Sequence, residues 1–135
     1  MANDALWLKD AVDGTEAGGS GVSATLGDYA RLGQFLLDGG MAGGHAVLAD
    51  GWLADATKKH ADIGAPGRGY GYQWWTWDDG AFAGIGIFGQ LLYVDPARHL
   101  VIVQLAAWPV ATDEAQAKAR GDFIRAVTHA IDAQP

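Results

Sequence analysis

Between Tyr70 and Ala107 the chain reads as a series of strands separated by tight turns, and that punctuation limits the fold more than any other feature. Tyr70, Tyr72 and Trp74 alternate with Gly71, Gln73 and Trp75, the period of a pleated strand. Asp78-Asp79-Gly80 then supplies turn residues, and a second strand-like run extends from Phe82 to Val94. Asp95-Pro96-Ala97-Arg98 makes the next turn. Leu100 to Ala107, LVIVQLAA, is apolar throughout, as expected of a central strand covered on both faces. Connections this short join antiparallel neighbours, so the spacing predicts a β-meander of three strands or more.

Helix signals flank the meander. Thr25 stands three residues before Asp28 in a capping-box arrangement with Asp in place of Glu. Tyr29, Leu32, Phe35 and Leu36 then recur on one helical face until Gly39-Gly40. Asp50 is placed to cap a second helix through Trp52, Leu53 and Ala56, with Lys58, Lys59 and His60 in its last turn. A third helix starts near Thr112 or Asp113, with Phe123, Val127, Ala130 and Ile131 as its apolar stripe. The segment Asp10–Gly21, rich in Gly, Asp and Ser, reads as irregular. The expected fold class is α+β: two helices, an antiparallel meander, and a C-terminal helix packed on it. Residues 1–135 form one unit, divided into a loop and helical part (1–66), the meander (67–110) and the last helix (111–135).

The 135 residues, 50% of them apolar, suffice for one core. Nine basic against sixteen acidic residues give a net charge of -7. With no cluster of Lys and Arg to neutralise phosphates, nucleic acid is excluded as a partner. No stretch approaches the roughly 20 apolar residues that span a bilayer, so no membrane association is expected. The opening MANDALWLKDAVDG lacks the apolar core of a signal peptide; an export signal would belong to a longer parent, and localisation, cytoplasmic or periplasmic, stays open. The absence of cysteine removes thiolate chemistry and disulfides.

Several local patterns invite chemistry that their context refuses. Gly84, Gly86 and Gly89 satisfy the dinucleotide spacing, but a strand-like QLLYVDP follows where a helix N-terminus is required, so no cofactor is expected. His45, His60, His99 and His129 lack the close spacing of metal ligands, and no metal site is expected. Asp78 and Asp79 are adjacent turn residues that point apart. Trp74, Trp75 and Trp77 read as core-facing aromatics before they read as a ligand platform. Gln90 and Gln104 read as amides that satisfy backbone groups. Ser20 and Ser23 are the two serines, and neither stands in S-x-x-K or G-x-S-x-G. Both lie in a Gly-rich connection, so no nucleophile and no base are assigned to this chain.

The ordered strings AGGSGVSATLGDYARLGQFLLDGG, GYGYQWW and GIGIFGQLLYVDPARHLVIVQLAAWP resemble the C-terminal part of the class C beta-lactamase superfamily, which includes penicillin-binding proteins. The likeness is greatest to its esterase and 6-aminohexanoate-dimer hydrolase branch. It implies a beta-lactamase/transpeptidase-like fold and acyl-enzyme hydrolysis of a small-molecule amide or ester. In the family the nucleophile and base are the Ser and Lys of an upstream S-x-x-K and a later Tyr, and this chain begins after both. The resemblance makes Gly86, Ile87, Phe88, Gly89 and Gln90 the strand lining the substrate cleft, with the Ile87 backbone N–H as half of an oxyanion hole. Where relatives carry K-T-G, this chain has Ile87 and Phe88, with no Lys to pair a beta-lactam carboxylate. An isolated chain of this kind is expected to be inactive and, with sheet and apolar surface bare, to self-associate. The alternative is a non-catalytic interaction module that keeps the scaffold.

Overall fold

The computed structural model describes residues 1–134. Its centre is a six-stranded antiparallel sheet of order β10-β9-β8-β7-β6-β5, a continuous meander. The strands are β5 (Ala61–Asp62), β6 (Arg68–Tyr70), β7 (Trp75–Trp77), β8 (Phe82–Ile85), β9 (Leu91–Asp95) and β10 (Leu100–Gln104). Helix α1 (Leu26–Leu37) packs on one face and α3 (Glu114–Asp132) on the other, with α2 (Trp52–Thr57) beside α1. Two short hairpins, β1 (Leu6–Trp7) with β2 (Val22–Ser23) and β3 (Met41–Ala42) with β4 (His45–Ala46), complete the fold.

The register sorts the core. Ala83, Tyr93 and Ile102 stand opposite one another in successive strands and face α3, where Ile124 and Val127 cover them. Phe82, Val94 and Val101 form the neighbouring row and face α1 with Leu32, Phe35 and Leu36. All five residues of β9 are therefore buried. β10 is apolar on both faces for the same reason, yet it lies at the edge of the sheet, not its centre, and ends at Gln104. Coverage of two faces and a central position give the same apolar texture.

α1 forms as its sequence predicts. Thr25 Oγ1 accepts the Asp28 N–H at 3.2 Å, and the backbone turns away through Gly39 (φ 71°) and Gly40 (φ 80°). Gly33 sits on the buried side of α1, where a Cβ would run into Val101 and touch Leu92 at 3.1 Å; this glycine sets how closely helix and sheet approach. The Asp28 carboxylate is fully buried and gathers the N–H groups of Ala2 (2.5 Å) and Asn3 (3.2 Å), the Thr25 hydroxyl (2.9 Å) and Arg31 (3.0 Å). The chain start is thereby pinned to the helix N-terminus. At the other end of the fold Arg98 bridges Asp95, the last residue of β9 (2.8 Å), to both oxygens of Asp132 in the last turn of α3 (2.9 Å each).

Three expectations are corrected. Asp50 does not cap α2: Gly51, in the left-handed region (φ 76°), is the cap residue and no side chain bonds the helix start. The helix ends at Thr57, leaving Lys59 and His60 beyond it. α3 starts where expected, with Asp113 as its cap accepting the Gln116 N–H at 2.9 Å, but Phe123 is 54% exposed and Ala130 faces solvent. The inward side is instead Ile124 and Val127. The irregular Asp10–Gly21 segment is the loop of the β1–β2 hairpin, with one bridge between Lys9 and Glu16.

The aromatic alternation at Tyr70–Trp75 is not one strand. β6 ends at Tyr70, and the chain turns between Gly71 and Trp74, with Gln73 at φ 62°. Tyr72 docks this turn on α2 by donating its N–H to Ala56 O (2.8 Å) and its hydroxyl to Asp55 (2.7 Å). Trp74 is consequently aimed at the α1 side, edge-on to Phe82, while Trp77 meets Tyr93 on the α3 side. Among the described residues no helix is long and apolar enough to cross a membrane.

Candidate active-site turn

The run from Phe82 to Val94 is also divided. β8 stops at Ile85, β9 starts at Leu91, and Gly86–Gln90 is the turn that joins them; these five residues are not a cleft-lining strand. The Gly86 N–H donates to Gln90 O (2.9 Å) and the Gly89 N–H to Gly86 O (3.2 Å), closing the turn. The Gly-rich sequence serves it directly. Gly89 lies at φ 91°, and a Cβ there would enter the Trp108 ring; a Cβ on Gly86 would strike the Gln90 side chain.

Neighbouring groups then fix every other part of the turn. The Gln90 amide oxygen accepts the Phe88 N–H (3.2 Å), and Gln104 Nε2 donates to Gly89 O (2.8 Å). Both amides thus satisfy backbone groups, as their bland reading held. From the segment after β10, Trp108 N–H donates to Phe88 O (3.0 Å) and Thr112 N–H to Ile87 O (2.7 Å). The Ile87 N–H has no acceptor among the described residues, and the Ile87 side chain is 56% exposed. A donor of this kind, rigidly held and unspent, is what a developing oxyanion requires.

A cavity of about 520 Å³ opens beside this turn, between the sheet and the β2–α1 junction. Gly84, Gly86 and Gln90 form one wall, Trp74 another, and Ser23 and Tyr29 the far side. Its lining is mostly apolar. The Tyr29 hydroxyl donates to Val22 O (2.7 Å), and burial raises its pKa above the ordinary phenol value. Ser23 is thus brought to the cavity, whereas Ser20 stays in the β1–β2 loop. The one histidine with a side-chain hydrogen bond among the described residues is His60, which meets Asp55 O and stacks on Tyr72, so neither serine is paired with an imidazole. All four histidines lie on the surface.

Sequence reasoning gave Trp108 no role and read Trp74 as a core-facing aromatic, whereas Trp74 packs on Phe82 and also lines the cavity. Trp108 follows a strand and precedes a proline, which carries no local sign that its ring will roof a glycine nineteen positions earlier.

This meander, with its helices on either face and its turn after β8, is that of a beta-lactamase-like hydrolase, and the chain belongs to the beta-lactamase family, whose model matches residues 1–126. Two relatives give a finer likeness. The 6-aminohexanoate-dimer hydrolase of Paenarthrobacter ureafaciens is 39% identical over 100 residues, an alignment covering 66% of this chain and 26% of that protein. A solved structure from Bacillus anthracis, described as a 6-aminohexanoate-dimer hydrolase, superimposes with a TM-score of 0.69 at 31% identity, covering 85% of this chain and 31% of that one. The chain therefore spans about a quarter to a third of the length of these relatives.

Proposed function

We propose that this chain is the part of a serine acyl hydrolase that supplies one oxyanion donor, the Ile87 N–H, to the hydrolysis of a small amide or ester. The observation that carries the reading is the unspent Ile87 N–H on a turn whose other groups are tied down. Removing one such donor from an oxyanion hole costs about 10²–10³ in kcat, because the charge it stabilises exists only in the transition state. The family resemblance assigns nucleophile and base to an S-x-x-K serine and lysine and to a tyrosine; neither Ser20 nor Ser23 stands in that motif, so on this reading those groups come from another part of the enzyme. The apolar cavity beside Trp74 suits an acyl or amine chain, and the lack of a lysine at Ile87 or Phe88 disfavours a beta-lactam carboxylate at that end.

The chain by itself is expected to turn over no ester, since a serine without a base is a weak nucleophile. Incubation with p-nitrophenyl acetate, followed by release of nitrophenolate and intact mass, tests this. Turnover with an acyl adduct on Ser20 or Ser23 would overturn it. A non-catalytic module that associates with a second copy is the other reading. It draws on the exposed Leu6, Trp7, Leu8, Leu105, Val110 and Phe123.

A further inference from the structure

Trp74 walls the cavity from the end of a turn, since β7 begins only at the next residue. Its ring is half-buried and meets Phe82 edge-on, with 5.1 Å between ring centres. Where the indole stands therefore depends on what fixes the turn. The Gly71 N–H closes it by donating to Trp74 O (2.8 Å), and the Gly71 backbone lies so near α2 that a Cβ there would strike Ala56 O.

The next residue makes the attachment. Tyr72 donates its N–H to Ala56 O (2.8 Å) and its hydroxyl to Asp55 Oδ2 (2.7 Å), and its ring stacks on His60 at 4.5 Å with 12° between the planes. His60 is fixed in turn, its N–H on Tyr70 O (2.9 Å) and its Nε2 2.7 Å from Asp55 O. Lys58 pairs with the other oxygen of Asp55. Lys58 first and Tyr72 next hold the Asp55 carboxyl below its ordinary value, and the bond to Asp55 pushes the Tyr72 phenol up. Yet Tyr72 is 48% exposed and belongs to neither core cluster, so its ring adds little burial. A half-exposed aromatic tied by its N–H, its hydroxyl and its face contributes chiefly orientation.

We propose that Tyr72, anchored on Asp55 and His60, is a positioning residue that holds Trp74 as the wall of the substrate cavity. The proposal rests on the reading of that cavity as the seat of an acyl or amine chain. Gln73 lies between the two aromatics at φ 62°, a region uncommon for residues with a side chain. Once Tyr72 is released, Gln73 is free to relax and carries Trp74 with it. A site whose binding arrangement is only partly populated loses affinity by that fraction.

The test is nuclear magnetic resonance of the isotope-labelled intact chain, titrated with N-hexylacetamide, an uncharged amide on an aliphatic chain. The readout is the Trp74 Nε1–H, assigned with Trp74→Phe. Tyr72→Phe keeps the ring and its stack but removes the hydroxyl. It is expected to shift the Trp74 resonance before ligand is added and to weaken binding about tenfold. Asp55→Ala is expected to do the same. Asp55→Asn, whose amide oxygen still accepts the Tyr72 hydroxyl, is expected to keep both near wild type. Trp77 packs on the opposite face of the sheet and reports general loosening; its resonance is expected to stay in place in every variant. In the unmodified chain, where no variant has to fold, the Tyr72 N–H is expected to follow the same binding curve as Trp74. Binding that Tyr72→Phe leaves unchanged, an Asp55→Asn variant as impaired as Asp55→Ala, a Trp77 resonance that moves with Trp74, or a Tyr72 N–H indifferent to the ligand would overturn the proposal and leave the cavity reading standing. No binding to the unmodified chain would overturn both.

Discussion

Gly80 and Gly89 adopt nearly the same backbone angle, φ 89° and 91°, but only Gly89 has a ring above it. That pair separates two reasons for a glycine. Alanine at either position meets the steric cost of a positive φ, about 1–2 kcal/mol. At Gly80 nothing lies within 4 Å of a Cβ, so the cost ends there. At Gly89 the new methyl enters the Trp108 indole, which is fixed at its backbone by the Trp108 main-chain N–H bonded to Phe88 O and covered by the Arg120 guanidinium. Overpacking of that kind adds about 1–3 kcal/mol, which brings Gly89→Ala to about 2–5 kcal/mol in all. Urea unfolding followed by far-ultraviolet circular dichroism measures both variants and the corresponding pair in a Trp108→Ala background. With the ring removed, the cost of Gly89→Ala is expected to fall to that of Gly80→Ala, a coupling of about 1–3 kcal/mol. Equal costs for Gly80→Ala and Gly89→Ala, or a Gly89→Ala cost that persists without Trp108, would refute the claim that this ring shapes the turn.

Gly33→Ala is expected to destabilise by about 1–3 kcal/mol through the clash with Val101, and Val101→Ala to restore part of the loss; denaturant titration measures both. The Asp28 carboxyl is held well below its ordinary range, chiefly by the Ala2 N–H and further by Thr25 and Asn3. Because the folded value lies below the unfolded one near 3.9, this stabilisation is complete above about pH 5 and is lost as pH falls further. Asp28→Asn is therefore expected to lower Tm at pH 7 and to flatten the acid limb of a Tm profile from pH 6 to 2. Light scattering across a concentration series is expected to show self-association, since Leu6, Trp7, Leu8 and Phe123 are exposed; a monomer at high concentration would contradict this.

The parts of the fold that could be read from the sequence are those whose signals are local. Thr25, the Gly39-Gly40 stop, the Asp78-Asp79-Gly80 and Asp95–Arg98 turns, and the α3 start near Asp113 each act within four residues of themselves. The two broken strands failed for one reason: residues 70–75 and 82–94 keep apolar alternation through a turn, and period two cannot reveal a reversal made by a positive φ at Gln73 or Gly89. On α3, Phe123 and Ile124 belong to stripes one position apart, both consistent with a period of 3.6, and the sheet decides between them. The five residues expected as a cleft-lining strand form the turn between β8 and β9. Its supports, Gln104 at the end of β10 and Trp108 after it, are far from the turn in sequence, and such tertiary contacts leave no periodic trace.

The role of Ile87 is accessible in a graft. Replacing the matching segment of the Paenarthrobacter 6-aminohexanoate-dimer hydrolase with this chain places the turn beside the remainder of that enzyme, and hydrolysis of the dimer is then assayed. Ile87→Ala keeps the backbone N–H and is expected to leave kcat within a few-fold of the unmodified graft. Ile87→Pro removes that donor, and with circular dichroism confirming an unchanged fold it is expected to lower kcat by about 10²–10³ with KM changed far less. Equal kcat for the alanine and proline variants, or a folded graft without activity, would contradict the assignment of the Ile87 N–H to the oxyanion hole.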